Sequence, residues 1–347
     1  MKRISIFLFF VLSLSFLPAC GPQGPATLTV MTHDDFAISE AVIAAFEQEH
    51  NVTVVFLPSG SVGQALNKAI LSQEAPLADV FYGVDNTFLS RALEAGIFEA
   101  YDSPMLAQIP DDFELDPGQR ALPVDYGDVC LNYDIAWFDE RGLAVPASFD
   151  DLLDPAYAGL LVVENPATSS TGLSFLLATV AAYGEEGFLD YWSGLRENGL
   201  VVVDDWGTAY YTNFSGSSGR GPQPLVVSYA SSPAAEFIYA DPPVETAPTA
   251  SVVAPGTCYR QVEFAGILAG TPNRDLAEEF IDFLLGLQFQ EDMPLQMFVY
   301  PVNENASLPP EFVRWAQASE APASLDPALI AANRDRWITD WTDVVLH

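Results

Sequence analysis

The residues of this chain that could do chemistry are better suited to holding a small molecule than to breaking its bonds. The sequence has three histidines. Because His50 and His347 fall at a predicted helix end and at the chain terminus, His33 is the histidine that we expect in a functional site. It has no HExxH, CxxC, GxSxG or P-loop motif. Carboxylate pairs such as Asp34 and Asp35 are expected by chance among 47 acidic residues. We therefore predict a binding protein rather than an enzyme, with no cofactor.

Several polar residues directly follow predicted strands. His33 and Asp34 follow the first strand, Asp85 and Asn86 follow the third, and Ser232 follows a later one. Because ligands of open α/β sheets bind beyond the carboxyl ends of the strands, we expect these side chains to line a ligand site. Asp34 and Asp85 would offset a positive charge or accept hydrogen bonds from an amine.

Two junctions between a loop and a helix offer a different kind of contact. Gly60 with Ser61, and Ser169 further along, present backbone N–H groups and hydroxyls that suit a phosphate or a hydroxyl group. The same residue types also cap helices in the absence of any ligand, and the sequence leaves both roles open.

Aromatic side chains supply candidate faces for a flat cation. Each cation–π contact is worth about 0.5 to 2 kcal/mol. Packing in the core is the alternative for any one of them, because 12% of the residues are aromatic. The candidates are Trp206, Tyr210, Tyr229 and Phe298.

Positioning these residues requires α/β elements, and the chain alternates short β-rich runs with amphipathic stretches in a βαβ pattern. This pattern predicts mainly parallel sheets flanked by helices. The Gly- and Pro-rich stretches 215–224 and 241–255 are predicted surface loops. Strands are predicted at residues 27–32, 52–57, 78–82, 160–163, 200–203 and 225–229, and helices at 38–49, 62–73, 86–95, 274–285 and 327–345.

Two longer strand-like runs, at residues 122–133 and 259–268, separate the two α/β regions. Their placement predicts two lobes joined by two crossover strands. The first lobe would be discontinuous, comprising residues 27–127 and 260–347, and the second would comprise residues 128–259. Cys130 and Cys258 would then lie on neighbouring strands and could form a disulfide, the alternative being two separate buried thiols.

The amino-terminal residues resemble a lipoprotein export signal. Lys2 and Arg3 precede an apolar run that is too short to span a bilayer comfortably, and Ala19 precedes Cys20. We predict a signal peptide at residues 1–19, lipid attachment at Cys20, and a tether at residues 20–26 that anchors an extracytoplasmic protein to the membrane. An ordinary cleaved signal is the alternative.

The charge of the chain limits its partners. With 13 Lys and Arg residues against 47 Asp and Glu residues, the formal net charge is −34. Binding to nucleic acid is excluded, because it depends on basic side chains that neutralise phosphates. A negative surface is compatible with solubility outside the cell and with the gathering of cationic ligands.

Short motifs are spread along nearly the whole chain. They are TVMTHDDF at 29–36, ADV at 78–80, GVDN at 83–86, DYG at 125–127, NP at 165–166, TS at 168–169, GL at 172–173, Trp206 with AY at 209–210, SY at 228–229, SSP at 231–233, QVE at 261–263 and YPV at 300–302. Each motif is weak alone, whereas their order and spacing together are more specific. In that order and spacing the chain resembles bacterial extracytoplasmic solute-binding proteins of ABC importers, most closely their thiamine-binding members.

The resemblance implies a two-lobed periplasmic-binding-protein fold of type II, with two hinge strands and one small solute held between the lobes. It also implies a monomer that works with an ABC permease and its ATPase. The chain departs from the thiamine-binding pattern at three positions: His33 replaces an expected tyrosine, Ser59 an expected acid and Phe298 an expected tryptophan. A thiamine phosphate, a pyrimidine precursor or another organic cation therefore stays open as the ligand.

A second class of binder with the same fold takes ferric iron. Tyr210, Tyr211 and His33 could supply two phenolates and an imidazole, and hard Fe(III) favours oxygen ligands. Trp206 and the SSP motif fit an organic cation better.

Overall fold

The computed structural model describes residues 25–217 and 220–347. The predicted signal peptide, Cys20 and most of the predicted tether lie outside the described residues, so lipid attachment stays a prediction. Within the described ranges, no helix combines the length and the apolar character needed to cross a bilayer.

The elements follow the predicted alternation of strands and helices. The strands are β1 (Ala26–Thr32), β2 (Val52–Pro58), β3 (Val80–Asp85), β4 (Phe98–Glu99), β5 (Leu122–Asp134), β6 (Leu161–Glu164), β7 (Val201–Val203), β8 (Leu225–Tyr229), β9 (Thr249–Val252), β10 (Tyr259–Leu268) and β11 (Tyr300–Pro301). The α-helices are α1 (Glu40–His50), α2 (Val62–Leu71), α3 (Leu89–Ala95), α4 (Ile135–Arg141), α5 (Ser170–Glu197), α6 (Ser232–Ile238), α7 (Arg274–Leu285), α8 (Leu287–Gln290), α9 (Met293–Gln296), α10 (Pro310–Trp315) and α11 (Pro327–Val345).

Local sequence explains these elements. In α2, a capping box between Ser61 and Gln64 satisfies the first backbone N–H groups, and the residues that it buries recur at helical spacing. Strand β3 is buried at every position, as expected of a strand covered on both faces.

The strands form one mixed sheet in the order β2-β1-β3-β10-β5-β8-β6-β7. Strands β1, β2 and β3 are parallel, as are β6, β7 and β8, whereas β10 and β5 run antiparallel to their neighbours along this order. We call the part built on β1, β2 and β3 the first lobe and the part built on β6, β7 and β8 the second lobe. Strands β5 and β10, here called the hinge strands, connect them.

Covalent and ionic contacts hold the hinge strands together. Cys130 and Cys258 form a disulfide whose Cα atoms lie 4.3 Å apart. Arg260 donates to both carboxylate oxygens of the buried Asp128, at 2.8 and 2.9 Å. The predicted lobe boundaries at residues 127/128 and 259/260 fall inside these continuous strands and stay a prediction.

The carboxyl-terminal helix α11 contacts both lobes. Trp341 packs edge-on against Trp192 of α5, with ring centroids 5.4 Å apart. The buried Arg334 donates to the backbone carbonyl of Thr87 at 3.3 Å, and its guanidinium lies over the Phe88 ring. This helix therefore spans the junction between the lobes.

Two predicted segments differ from the structure for local reasons. The helix expected from residue 86 begins at Leu89, because Asp85 Oδ1 accepts from the backbone N–H groups of Thr87 and Phe88 and holds a turn there. The predicted surface loop 241–255 contains β9, which pairs with β5.

Removing the disulfide should destabilise the protein. A cross-link between residues 128 positions apart restricts the unfolded chain, and native disulfides typically contribute about 2 to 5 kcal/mol. We expect Cys130→Ala/Cys258→Ala to lower the free energy of unfolding by an amount in that range, measured by urea denaturation. Wild type in reductant is the control and should approach the variant. Equal denaturation midpoints for oxidised wild type and the variant would show that the bond is not formed.

Candidate functional site

A row of three buried acidic residues crosses the sheet where the lobes meet. Glu263 of β10 pairs in register with Asp85 of β3 on one side and with Asp125 of β5 on the other. Side chains that are directly opposite on neighbouring strands lie on the same face. Asp85 and Asp125 are 0% exposed and Glu263 is 7% exposed. Burying like charges side by side is costly unless partners or protons compensate them.

Asp85 is the best compensated of the three. Its Oδ1 accepts from the backbone and hydroxyl of Thr87, and its Oδ2 accepts from the amide of Gln261. Burial raises the pKa of Asp85 to about 6, although these hydrogen bonds favour the ionised form.

Asp125 is less well satisfied. The hydroxyl of Tyr82 donates to its Oδ2, whereas its Oδ1 has no hydrogen-bond partner among the described residues. Burial, together with the neighbouring Glu263 carboxylate, raises the pKa of Asp125 well above its ordinary value. Asp125 is therefore the member of the row that favours a bound proton.

His33 lies beside Glu263, with its Nε2 atom 3.4 Å from Glu263 Oε2. Burial lowers the pKa of His33, yet Glu263 outweighs it and brings the value to about 9. The Nδ1 atom accepts from the backbone N–H of Asp35 at 3.2 Å, a bond that only an imidazole unprotonated at Nδ1 can accept. Charging His33 therefore competes with this hydrogen bond.

Gly83 makes room for the His33 ring. Its backbone has a φ of +101°, and a Cβ atom at this position would lie 2.3 Å from His33 Cδ2. A larger residue would displace His33 from Glu263.

An aromatic platform forms the corresponding part of the second lobe. Trp206 stacks on Tyr210 with centroids 5.0 Å apart and meets the edge of Tyr211 at 5.4 Å. Its Nε1 donates to Ser228 Oγ, which lies 3.0 Å from Ser232 Oγ. Trp206 is half-buried, whereas Tyr210 is 2% exposed, so Tyr210 supports the Trp206 ring rather than offering a free face.

Residues of the two lobes face one another across the hinge strands. Burial and neighbouring negative charges raise the pKa of Asp35 in the first lobe, and Asp205, which precedes Trp206, is one of those charges. The Tyr229 hydroxyl donates to Gln261 Oε1 at 2.6 Å, which links the second lobe to Asp85. The aromatic platform and the acidic row are therefore connected through Ser228, Tyr229 and Gln261.

Phe298 lies at a direct contact between the lobes. Its φ of +56° is unusual for a residue with a side chain, and its carbonyl accepts from the Ser231 hydroxyl. Tyr239 packs edge-on against its ring at 5.6 Å and donates to the carbonyl of Leu295 at 3.2 Å.

The remaining candidates make local contacts. Asp34 Oδ1 accepts from the Gly60 N–H at 2.8 Å, so that amide is already occupied. Ser61 and Ser169 cap α2 and α5. Asn86 binds the backbone of β10 at Arg260 and Val262.

Sequence reasoning missed Asp125 and Glu263 as site residues. Both lie in motifs that the resemblance rests on, DYG and QVE, but neither follows a strand end, which was the signal used. It also missed Glu164 at the end of β6, which is 0% exposed and has no partner for either carboxylate oxygen among the described residues. Burial raises the pKa of Glu164 to about 8, which nearby Thr171 offsets only in part.

No three His, Cys, Asp or Glu side chains in the described part of the chain are grouped so as to hold a metal ion. The iron alternative also needs the Tyr210 hydroxyl, which is buried beside Glu236 and Ser232. His33 instead contacts Glu263. His33 thus has different contacts from Tyr210 and Tyr211, which pack against each other and against Trp206.

Known proteins resemble this chain over most of its length. The family described as bacterial extracellular solute-binding protein matches residues 75–320. A thiamine-binding periplasmic protein of Brucella suis biovar 1 is 28% identical over 98% of this chain and 97% of that protein. A solved periplasmic thiamin binding protein superposes with a TM-score of 0.81 at 26% identity, covering 94% of this chain and 98% of its own.

Iron binders share the same fold. Iron-bound HitA from Pseudomonas aeruginosa superposes with a TM-score of 0.75 at 20% identity over 92% of this chain and 99% of its own. These neighbours are two-lobed α/β proteins, so the predicted fold class is confirmed, whereas a likeness at this identity says nothing about the ligand.

Replacing Glu164 by glutamine should stabilise the protein at alkaline pH. The folded state holds this proton up to about pH 8, whereas an ordinary glutamate releases it near 4.5, so stability falls as pH rises between these values. The slope is at most about 1.4 kcal/mol per pH unit. We expect Glu164→Gln to flatten the curve of unfolding free energy against pH, measured by urea denaturation from pH 5 to 8.5.

Glu185→Gln is the control, because Glu185 forms a surface ion pair with Arg336 that contributes little. It should leave the slope unchanged. Parallel curves for wild type and Glu164→Gln would contradict the assignment of the proton.

Proposed function

The chain belongs to the bacterial extracellular solute-binding proteins, and on that premise we propose that it captures thiamine or a thiamine phosphate between its lobes for import. The observation that carries the proposal is that two groups of side chains, one aromatic and one acidic, are connected where the lobes meet. The aromatic face of Trp206 lies on the second lobe, and the acidic row of Asp85, Asp125 and Glu263 lies between the lobes.

Thiamine matches both groups of side chains chemically. It is a flat cation with a thiazolium ring, an aminopyrimidine that donates hydrogen bonds, and a hydroxyethyl arm that can carry phosphate. A Trp face suits the cationic ring, and carboxylates suit the amine. Nanomolar affinity requires about 12 kcal/mol, so several contacts and lobe closure must act together.

The relatives support this ligand class, since proteins similar over nearly the full length carry the name thiamine-binding. They also support a role in transport rather than catalysis. In our proposal an ABC permease and its cytoplasmic ATPase receive the ligand, and a lipid on Cys20 holds the monomeric protein at the membrane.

Ferric iron is the alternative ligand, and the proposal gives it less weight because Tyr210 is buried beneath Trp206. Tyrosinate-bound iron absorbs visible light, so a coloured protein would favour it.

The proposal is tested by calorimetric titration of the protein beginning at Gly21 with thiamine, thiamine monophosphate and thiamine diphosphate. We expect saturable one-to-one binding of at least one of them by a colourless protein. A folded, colourless protein that binds none of the three compounds would overturn the assignment of thiamine as the ligand. A visibly coloured protein that binds none of them would favour ferric iron as the ligand.

Trp206→Ala should weaken thiamine binding at least tenfold, because the variant loses a cation–π contact worth about 1.4 kcal/mol or more. Calorimetry measures the affinity, and thermal melting checks that the fold is kept. Trp137→Ala is the matched control, since Trp137 is also half-buried but packs beside Arg141 on α4. Equal effects of the two variants on affinity would place Trp206 outside the site.

A further inference from the structure

We propose that the hinge pair, defined as Asp125 and Glu263, is a specificity site that accepts a nitrogen-bearing group of the bound cation and releases a proton to solvent on binding. The inference deepens the proposed function and rests on it for the identity of the cation. It assigns a ligand contact to the hinge strands themselves, in addition to the loops that follow the first-lobe strands and the aromatic platform.

The geometry supplies unused hydrogen-bonding capacity at one place. Asp125 Oδ1 and Glu263 Oε2 are buried and accept no hydrogen bond of good geometry among the described residues, although Glu263 Oε2 forms an ion pair with His33 Nε2. Glu263 and His33 are each only 7% exposed and lie 3.4 Å apart at these atoms. Leaving buried carboxylate oxygens without donors is costly, so Asp125 Oδ1 and Glu263 Oε2 together favour a ligand that supplies hydrogen-bond donors.

The surrounding charges favour a cation. On the first lobe the hinge pair faces Tyr82, Asp85, Asp35 and His33, and on the second lobe it faces Tyr229. Among the described residues whose charges act on Asp125, His33 is the one that brings positive charge. The nearby Arg260 is already paired with Asp128 on both oxygens.

These surroundings explain why Asp125 would release a proton when the cation binds. Burial first, and then the neighbouring Glu263 carboxylate, disfavour the ionised form of Asp125 and raise its pKa, so without a ligand Asp125 favours holding a proton. A bound cation stabilises the ionised carboxylate, so Asp125 gives its proton to the solvent buffer and accepts hydrogen bonds from the ligand. Release of a proton on binding means that affinity for the cation rises with pH until Asp125 is ionised in the free protein.

A purely structural acidic pair would behave differently. Its protonation would be the same in the free and bound protein, and neutralising one carboxyl would change stability rather than ligand affinity. Counting the protons exchanged on binding therefore separates the two roles.

The test is calorimetric titration with thiamine at pH 7 in phosphate and in Tris, two buffers with different ionisation enthalpies. We expect the observed heat to depend on the buffer in the direction that corresponds to net release of protons when thiamine binds. This measurement uses the wild-type protein and requires no variant. The same heat in both buffers would overturn the proposal while leaving thiamine binding intact.

Two variants locate the exchanged proton. Asp125→Asn should abolish the buffer dependence, and Glu263→Gln should weaken thiamine binding at least tenfold. Asp116→Asn is the control, because it removes a buried carboxylate that pairs with Arg120 outside the cleft. Proton release that persists in Asp125→Asn, or affinity that is unchanged in Glu263→Gln, would overturn the proposal. Wild type that binds no thiamine compound would instead overturn the proposed function, and this inference with it.

Discussion

The antiparallel pairing of β5 with β10 is the constraint on which the rest of the structure depends. It joins the two lobes, and its register sets Asp125 opposite Glu263, which in turn lies opposite Asp85. The same pairing carries the disulfide and the ion pair of Arg260 with Asp128. The disulfide, the ion pair and two of the three buried acidic residues therefore lie on or directly beside the pair of strands that connects the lobes.

This arrangement links binding to the geometry of the hinge. A ligand that neutralises the hinge pair removes repulsion between two connecting strands, while its aromatic part contacts Trp206 on the second lobe. Ser231 and Tyr239 also contact the segment around Phe298 directly. A solute that bridges the acidic row and the aromatic platform would favour the closed arrangement by its differential contacts with the two states.

The alternation of strands and helices could be predicted from the sequence, because the periodicity of apolar residues and the glycines that end helices reflect local structure. The two long hinge strands could be predicted for the same reason, and so could the position of His33 after β1. The partners of His33 could not be predicted. Asp125 and Glu263 lie opposite each other only because of the register between strands that are far apart in the chain. Tyr210 shows the converse: its type suited a ligand face, but only the fold reveals that Trp206 covers it.

The most direct measurement is a crystal structure of the protein with thiamine bound. We expect the ligand between the lobes, with an aromatic ring stacked against Trp206 and a nitrogen within about 3.2 Å of a carboxylate oxygen of Asp125 or Glu263. Thiamine bound away from both the Trp206 face and the hinge pair would contradict the account.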